Sequence, residues 1–238
     1  MTRLSVNINK VALIRNARGG DLPDLIQVAK DCESFGADGI TVHPRPDQRH
    51  IRFDDLLPLK KIVTTEFNVE GYPSDHFLKL MEEVRPDQCT LVPDDPGVLT
   101  SSEGWDVKKH KDLLKDVVRT LTSFGARVSI FLDPNPEMVE HVADIGAHRI
   151  ELYTGDYAKL YGTSEAKIEI EKHKNTAEEA EKFELGVNAG HDLNLVNLKE
   201  YNTQIVNLLE VSIGHALICD ALYLGLKNTI LSYKRQLN

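Results

Sequence analysis

Short apolar segments that end in acidic, basic or amide residues recur along the whole chain. Polar and apolar residues alternate within most of them, as in 40–43 (ITVH) and 149–152 (RIEL). Because a β-strand sends successive side chains to opposite faces, each such segment has one apolar face and one polar face. The pattern is typical of a parallel barrel whose outer face packs against helices and whose inner face leads to an active site.

Strand and helix signals alternate from one end of the chain to the other. The predicted strands are 4–8, 40–43, 67–70, 88–93, 128–133, 149–154, 187–191 and 208–213. The predicted helices are 23–35, 54–63, 106–124, 165–182, 193–201 and 216–234, with one more capped by Ser74 and another that starts at Pro136. Loops are predicted over 15–20, 44–50 and 94–105, and helix 165–182 is expected to lie in solvent because most of its faces are polar.

A chain of 238 residues with this order of elements predicts one (β/α)8 barrel, a TIM barrel, that forms a single domain over residues 1–238. The alternative is an open, doubly wound sheet. That alternative is weakened because no GxGxxG or P-loop signature follows the first predicted strand.

Composition narrows the functional class. Apolar residues make up 41% of the chain and charged residues 27%, which is ordinary for a globular protein. The net charge of −9 disfavours a nucleic-acid partner, and no apolar run is long enough to span a membrane. The first residues contain no apolar signal core, and the three cysteines form no CxxC pair. We therefore expect a cytoplasmic protein with no nucleic-acid or membrane partner.

Polar residues at the strand ends define the candidate site. The carboxyl ends of the strands of a parallel barrel meet at one mouth. The residues that meet there are predicted to be Asn7, Asn9, His43, Glu70, Glu151, Asn188, His191 and His215. Any one of them alone could be a structural hydrogen-bonding residue. Several ionisable groups in one cup are hard to explain by stability, because burying them costs free energy. Two carboxylates and several histidines indicate general acid–base chemistry.

A metal site is a competing use of the same residue types. The first strand ends in Asn7 and Asn9 rather than in a His-x-His pair, amides are poor zinc ligands, and no HExxH motif is present. No predicted strand carries a lysine that could form a Schiff base with a substrate. Acid–base chemistry without a metal is therefore favoured, and a metal site stays open.

Phosphate binding is indicated at two places. Gly190 and Gly214 each precede a histidine at a strand-to-helix junction, where exposed N–H groups and a helix N-terminus attract dianions. Basic residues lie in two predicted loops, with Arg18 in one and Arg45, Arg49 and His50 in the other. Two separate basic regions that face one mouth indicate two phosphate groups or one large anion.

Several of these segments together resemble the pyridoxine 5′-phosphate synthase family. They are 6–9 (VNIN), 15–19 (RNARG), 36–43 (GADGITVH), 49–51 (RHI), 89–93 (CTLVP), 187–191 (VNAGH) and 212–216 (SIGHA). The resemblance covers nearly the whole chain. It implies a (β/α)8 barrel with extra helices, assembled as a homo-octamer. It also implies condensation of two phosphorylated substrates, 1-deoxy-D-xylulose 5-phosphate and 3-amino-2-oxopropyl phosphate, with release of phosphate and water and without a metal or organic cofactor.

The resemblance implies roles for individual residues. His43 and Glu70 match the family's proton acceptors, His191 matches its proton donor, and Glu151 matches a carboxylate credited with stabilising a transition state. Positions that hold the aminoketone phosphate match Asn7, Arg18, Gly214 and His215. Positions that hold the deoxyxylulose phosphate match Arg45, His50 and Thr100.

The chain departs from many members of that family at three further substrate-binding positions. Asn9 and Lys10 stand where many members have Asp and His in the pocket for the sugar phosphate. Asp192 stands beside the donor histidine where many have Gly. Lys10 keeps a positive charge, whereas Asn9 loses a negative one, so we expect these positions to affect affinity and not the type of reaction.

Two other functions stay open at this point. One is a metal-assisted aldolase or epimerase, which a chelator would inactivate. The other is a barrel that binds phosphorylated metabolites and no longer catalyses a reaction. The segment 93–104 is the candidate for a loop that closes over the mouth, because of its length.

Overall fold

The computed structural model of the chain describes residues 1–93 and 103–238. Within them, eight parallel strands form a closed barrel in sequence order, and the last strand pairs with the first. The strands are β1 (Arg3–Asn7), β2 (Gly39–Val42), β3 (Glu66–Gly71), β4 (Gln88–Leu91), β5 (Arg127–Leu132), β6 (Arg149–Tyr153), β7 (Gly186–Gly190) and β8 (Leu208–Ile213). The predicted (β/α)8 barrel is confirmed, and the open sheet is excluded.

At least one helix follows every strand in the described part of the chain. The helices are α1 (Asn9–Arg18), α2 (Leu25–Ser34), α3 (Leu56–Ile62), α4 (Asp75–Val84), α5 (Lys111–Ser123), α6 (Val139–Asp144), α7 (Gly155–Leu160), α8 (Ala166–Lys182), α9 (Leu198–Gln204), α10 (His215–Leu224) and α11 (Leu226–Gln236). Two helices instead of one follow β1, β6 and β8, in agreement with the extra helices expected from the resemblance. Over the described ranges, no helix is both long and apolar enough to cross a membrane.

The alternation in the sequence corresponds to the two faces of the barrel wall. In β6, Ile150 and Leu152 belong to the buried hydrophobic core, together with residues of the surrounding helices. Between them, Glu151 lines the barrel interior and lies beside Asn188 of β7 in the strand register. The polar face of each strand is therefore turned inward, as the pattern predicts.

Two predicted helix starts are confirmed. The Oγ atom of Ser74 accepts a hydrogen bond of 3.2 Å from the backbone N–H of Phe77 and so caps α4, with Asp75 in the first turn. Pro136 begins a short 3-10 turn that leads into α6, at a position where a missing N–H costs nothing.

Two predictions about helices are wrong, and one helix is missed. Most of segment 15–20, predicted as a loop, belongs to α1, which buries Val11, Ala12 and Arg15 on one face and ends where Gly19 adopts a φ of 70°. The predicted helix 216–234 is two helices, α10 and α11, because Gly225 between them has a φ of 75°. Helix α7 is not predicted at all.

The prediction of a solvated helix 165–182 is also wrong, because α8 buries polar side chains. Glu169 is 5% exposed, and His173 and Thr176 are fully buried. The Nδ1 atom of His173 lies 2.9 Å from the hydroxyl of Tyr201 in α9. The buried face of α8 therefore combines a polar contact between helices with the apolar residues Ile170, Ala177 and Ala180.

Ion pairs fill the barrel at the amino ends of the strands. Arg3 and Arg127 both bind the carboxylate of Glu66, the former at 3.0 Å, and Arg149 lies 3.6 Å from Glu210. This end of the barrel is therefore closed by charged side chains, whereas the opposite end contains a cavity.

Candidate active site

A cavity of about 490 Å³ lies at the carboxyl ends of the barrel strands. It brings together almost all of the residues predicted for the site. These are Asn7, Asn9, Lys10, His43, Arg45, His50, Glu70, Glu151, His191, Asp192, Gly214 and His215.

Two of the described residues predicted for the site, Arg18 and Asn188, do not line the cavity. Asn188 lies deeper in the barrel, where its Oδ1 atom accepts a hydrogen bond of 2.9 Å from Arg149 and its amide donates to Gln88 at 3.3 Å. Arg18 is the last residue of α1 and is exposed on its surface. Thr100 lies outside the described residues, as does most of the segment 93–104 predicted to close over the mouth.

A basic cluster forms one side of the cavity. It consists of Lys10 at the start of α1 and Arg45, Arg49 and His50 in the loop after β2. Burial, with a smaller contribution from Arg45 and Lys10, lowers the pKa of His50 to about 4. The Nδ1 atom of His50 accepts a hydrogen bond of 2.9 Å from the backbone N–H of Ile51, so the proton of the neutral ring lies on Nε2. The cluster therefore offers both positive charge and a neutral donor to an anion.

Helix α1 holds this loop in place. Arg15 forms two hydrogen bonds, of 2.7 and 2.9 Å, with the carboxylate of Asp55, and a third of 3.2 Å with the backbone oxygen of His50. The side-chain amide of Asn16 donates to the backbone oxygens of Arg49 and His50 at 3.1 and 2.7 Å. The basic cluster is thus attached to the barrel through α1.

Asn9 has a positioning role that the sequence does not reveal. Its Oδ1 atom accepts a hydrogen bond of 2.9 Å from the backbone N–H of His43, while its own N–H donates to Oδ1 of Asn7 at 3.0 Å. An amide oxygen and a carboxylate are both acceptors, so Asn can replace Asp in this contact. The side chain of Asn9 therefore fixes the end of β2.

Two proton-acceptor candidates lie side by side. The Nδ1 atom of His43 is 3.8 Å from Oε2 of Glu70, which is too long for a hydrogen bond, and the amide of Asn7 lies 3.4 Å from the same oxygen. Burial, followed by the charge of Arg45, lowers the pKa of His43 to about 3. The ring is therefore neutral at physiological pH and able to accept a proton.

Glu151 is a buried carboxyl group that faces the same cavity. It is 3% exposed, and burial raises its pKa to about 7, against the effect of a 3.2 Å hydrogen bond from Thr90. Its Oε1 atom lies against Gly190, where an added Cβ would come within 3.0 Å. Glu151 is therefore close to half-protonated at neutral pH and can either give or take a proton.

His191 lies at the end of β7 and is paired with the next residue. Its Nδ1 atom is 3.0 Å from Oδ2 of Asp192, and this hydrogen bond lowers the pKa of Asp192. The ring also packs edge-on against Tyr153, with 5.2 Å between centroids. The pair leaves Nε2 of His191 as the ring nitrogen available for a substrate.

The N-terminus of α10 supplies a second region that suits an anion. Gly214 is its N-cap and His215 its first residue, and both line the cavity. A Cβ on Gly214 would lie 3.1 Å from the side chain of Asn7, so a larger residue here would press on Asn7. Strand β1 separates this region from the basic cluster.

Some residues around the site are not identified from the sequence. Phe131 and Ser212 line the cavity, and Thr90 contacts Glu151. Thr90 occupies an inward position of β4, so the alternation of that strand is the signal that could reveal it. Among residues 1–93 and 103–238, no group of three or more His, Cys, Asp or Glu side chains is arranged to hold a metal ion.

Solved structures of other proteins share this fold. Phosphoribosylanthranilate isomerase from Thermotoga maritima has a TM-score of 0.61 and 12% identity, covering 100% of this chain and 98% of that chain. Tryptophan synthase from M. tuberculosis has a TM-score of 0.64 and 13% identity, covering 99% of this chain and 92% of that chain. At these identities the likeness concerns the fold alone.

Sequence relatives are much closer. The chain is 56% identical over 238 residues to a pyridoxine 5′-phosphate synthase of Parabacteroides distasonis, covering 100% of both proteins. It is 55% identical over 237 residues to one of Cytophaga hutchinsonii, covering 100% of this chain and 99% of the relative. The family model described as pyridoxal phosphate biosynthesis protein PdxJ matches residues 4–238. The chain therefore belongs to the PdxJ family of pyridoxal phosphate biosynthesis proteins.

Proposed function

We propose that the chain is a pyridoxine 5′-phosphate synthase that condenses 1-deoxy-D-xylulose 5-phosphate with 3-amino-2-oxopropyl phosphate and releases phosphate and water. Its family and the names of its relatives support this activity. The observation that carries the proposal is that His43, Glu70, Glu151 and His191 face one cavity that also contains two regions suited to anions.

The two anion regions correspond to two phosphorylated substrates. The basic cluster of Lys10, Arg45, Arg49 and His50 binds the phosphate of the sugar, and the N-terminus of α10 binds that of the aminoketone. A cavity of about 490 Å³ is within the usual range for small-molecule sites. Holding both substrates in it replaces a bimolecular encounter by an intramolecular reaction, which supplies much of the acceleration.

The first steps form an imine and remove a proton from carbon. The amine of the aminoketone attacks the ketone of the sugar phosphate, and water leaves, so the substrate itself provides the imine nitrogen. His43 or Glu70 then accepts the carbon-bound proton and an enol forms. Burial keeps the ring of His43 neutral, but a pKa of about 3 makes it a weak base, which favours Glu70 for this step.

The later steps expel phosphate and close the ring. His191, paired with Asp192, gives a proton to the phosphate that leaves the sugar-derived part. Water is lost again, and an aldol-type closure completes the pyridine ring, whose aromaticity drives the last step. Glu151 lies close enough to this region to stabilise the charge that develops.

The test of this proposal is product formation by the purified chain. With both substrates, we expect pyridoxine 5′-phosphate and inorganic phosphate in equal amounts, and with either substrate alone neither product. No product under saturating substrates would refute the proposed activity, and activity that a chelator abolishes would favour the metal-assisted class instead.

The role of Glu70 is tested by Glu70→Gln in the same assay. The amide cannot accept a proton, so we expect kcat to fall roughly 100-fold or more. The exposed Glu83→Gln on α4 is the matched control and should be unchanged. A Glu70→Gln rate near that of the control would exclude Glu70 as the base and leave His43.

We further propose that the chain works in the cytoplasm as a homo-octamer. The family resemblance supports this assembly, as do Leu222 and Tyr223 on α10, which are 74% and 90% exposed in the single chain. Sedimentation at assay concentrations tests it, and a fully active monomer would contradict it.

A further inference from the structure

Buried hydroxyl and amide side chains form a chain of hydrogen bonds across the barrel interior to Glu151. The Oγ of Ser5 in β1 lies 2.6 Å from Oγ1 of Thr41 in β2, which accepts from Nδ2 of Asn68 in β3 at 3.3 Å. The hydroxyl of Thr90 in β4 lies 3.2 Å from Oδ1 of Asn68 and 3.2 Å from Oε2 of Glu151 in β6. All five side chains belong to residues that are at most 3% exposed. Water therefore cannot easily replace these contacts.

Thr90 has one hydroxyl proton and two acceptors at the same distance. The amide of Asn68 is oriented by its bond to Thr41, which leaves Oδ1 towards Thr90. When the hydroxyl donates to Asn68, its oxygen can accept a hydrogen bond from the O–H of a neutral Glu151 carboxyl. When it donates to Glu151 instead, it stabilises the carboxylate. By rotating, the hydroxyl of Thr90 can thus form a hydrogen bond with either protonation state of Glu151.

The charged groups around Glu151 keep these two states close in free energy. Burial raises the pKa of Glu151 to about 7, while the Thr90 bond and then the charge of His191 act in the opposite direction. His43 and Glu70 line the same cavity, from β2 and β3. Towards the other end of the barrel, burial and Glu66 raise the pKa of Glu210 well above its usual range, with a smaller contribution from Glu151.

We infer that Thr90 is a positioning residue that allows Glu151 to exchange a proton with the reacting molecule, by turning its hydroxyl between Asn68 and the carboxyl group. The inference rests on the proposed function and adds a role to it. Glu151 gives its carboxyl proton to a substrate oxygen and recovers one from a later intermediate, so the enzyme's proton count is unchanged over a cycle. Thr90 only rotates. A residue of fixed negative charge would not need a partner that can serve both states.

The inference predicts opposite shifts for two near-isosteric substitutions. Thr90→Val removes the hydroxyl that donates to the carboxylate, so the titration midpoint of Glu151 should rise by about one pH unit. Asn68→Leu removes the competing acceptor and commits the Thr90 hydroxyl to Glu151, so the midpoint should fall. Thr90→Ser keeps the hydroxyl and should stay near the wild-type midpoint.

The midpoint is measured by infrared titration of the substrate-free protein. The carbonyl band of the protonated carboxyl is assigned to Glu151 by its loss in Glu151→Gln. Thr176→Val is the control, because Thr176 is a fully buried threonine of α8 whose hydroxyl donates to the backbone oxygen of Lys172 and which lies outside the site. In wild type and variants that make product, the midpoint of the kcat–pH profile should move with the band.

Three outcomes overturn the inference. These are an unchanged midpoint in Thr90→Val, equal shifts in Thr90→Val and Thr90→Ser, and shifts of the same sign in Thr90→Val and Asn68→Leu. The last two would mean that packing around Glu151, and not the hydroxyl proton, sets its titration. The infrared band is measured without substrate, so it tests the role of Thr90 independently of turnover. A chain that makes no pyridoxine 5′-phosphate would refute the proposed function and leave the infrared result unaffected.

Discussion

At the scale of single residues, the proton donor candidate His191 is held by its immediate neighbours. Asp192 bonds Nδ1 at 3.0 Å, and the edge of the ring meets Tyr153. The residue has a φ of 75°, in the left-handed region that residues other than glycine seldom adopt. Such a conformation persists only where surrounding contacts enforce it, so the orientation of this imidazole is a property of the site and not of the free side chain.

Removing the charge beside His191 should weaken proton donation. In Asp192→Asn the carboxylate that favours the charged ring is lost, so we expect kcat to fall roughly 10-fold and the alkaline limb of the kcat–pH profile to move to lower pH. Asp112→Asn, an exposed residue in the first turn of α5, is the control. If Asp192→Asn raised KM alone and left the profile unchanged, Asp192 would contact substrate and not orient the histidine.

Gly190 provides the space that Glu151 occupies. A Cβ at this position would lie 2.9 Å from the backbone oxygen of Ser212 and 3.0 Å from Oε1 of Glu151. We expect Gly190→Ala to displace the carboxyl group, to lower kcat and to cost about 1–3 kcal/mol of unfolding free energy. Gly20→Ala is the control, since nothing lies within 4 Å of its added Cβ. Urea unfolding measures the change in stability, and steady-state turnover measures kcat. A wild-type kcat in Gly190→Ala would show that an added Cβ does not displace Glu151.

Much of the site can be predicted from the sequence because strand ends and alternation are local properties. The placement of Glu70, Glu151 and His191 around one mouth follows from the barrel and the period of two. The contact of Asn9 with His43 does not, since it joins residues 34 positions apart through a backbone N–H that has no sequence signal. The alternation of β4 can place Thr90 inside the barrel, but it does not reveal the hydrogen bond with Glu151, a residue 61 positions away.

At the scale of elements, α1 couples the first strand to the basic cluster. Its residues Arg15 and Asn16 bind the loop after β2 through Asp55 and backbone oxygens, and Arg15 is only 6% exposed. The loop is thus ordered by a helix that precedes it in the chain.

Removing the hydrogen bonds of Arg15 to the loop after β2 should mainly weaken substrate binding. Arg15→Met keeps the length of the side chain and removes its bonds, so we expect the KM for the sugar phosphate to rise about 10-fold, which corresponds to about 1.4 kcal/mol of lost loop ordering. The KM for the aminoketone and kcat should change less. Arg119→Met, an exposed residue of α5, is the control. Equal increases in both KM values would point to general loosening of the fold.

The errors in predicting elements share a physical origin. Arg15 takes part in the buried face of α1, and α8 buries Glu169 and His173 beside the apolar Ile170. Hydrophobic periodicity identifies elements whose buried face is apolar. It misses those that pack through ion pairs and hydrogen bonds. The strands were predicted more closely because their outer faces are uniformly apolar.

At the scale of the whole molecule, buried groups with shifted pKa values make stability depend on pH in two directions. Burial lowers the pKa of His43 and His173 to about 3 and that of His50 to about 4. Each contributes stability that is present above the unfolded-state pKa of about 6.5 and is lost as pH falls from there towards the folded value. Glu210 acts in reverse, since its raised pKa contributes stability that is lost as pH rises.

His173 is suited to a test of the stability lost at acid pH, because it lies in the helix layer and not in the cavity. The Oε1 atom of Glu169 is 3.7 Å from its Nε2, too far to offset burial by a hydrogen bond, and the positive charge of Lys172 lowers the pKa further. In the unfolded chain this imidazole takes up a proton below about pH 6.5, whereas the folded ring stays neutral. Between about pH 6 and 4, it should therefore contribute about 1.4 kcal/mol per pH unit to the loss of stability.

We expect His173→Gln, which keeps a hydrogen-bonding group beside Tyr201 and cannot be protonated, to reduce that slope by about the same amount. The measurement is urea unfolding of the wild type and the variant at several pH values in this window. His141→Gln is the matched control, because this histidine of α6 is only half-buried, and the variant should keep the slope of the wild type. The absolute stability of His173→Gln is not the readout, because replacing a buried ring has a cost at every pH. Parallel curves for His173→Gln and the wild type would show that the folded protein accommodates a charged His173, and that burial in the helix layer does not set its ionisation.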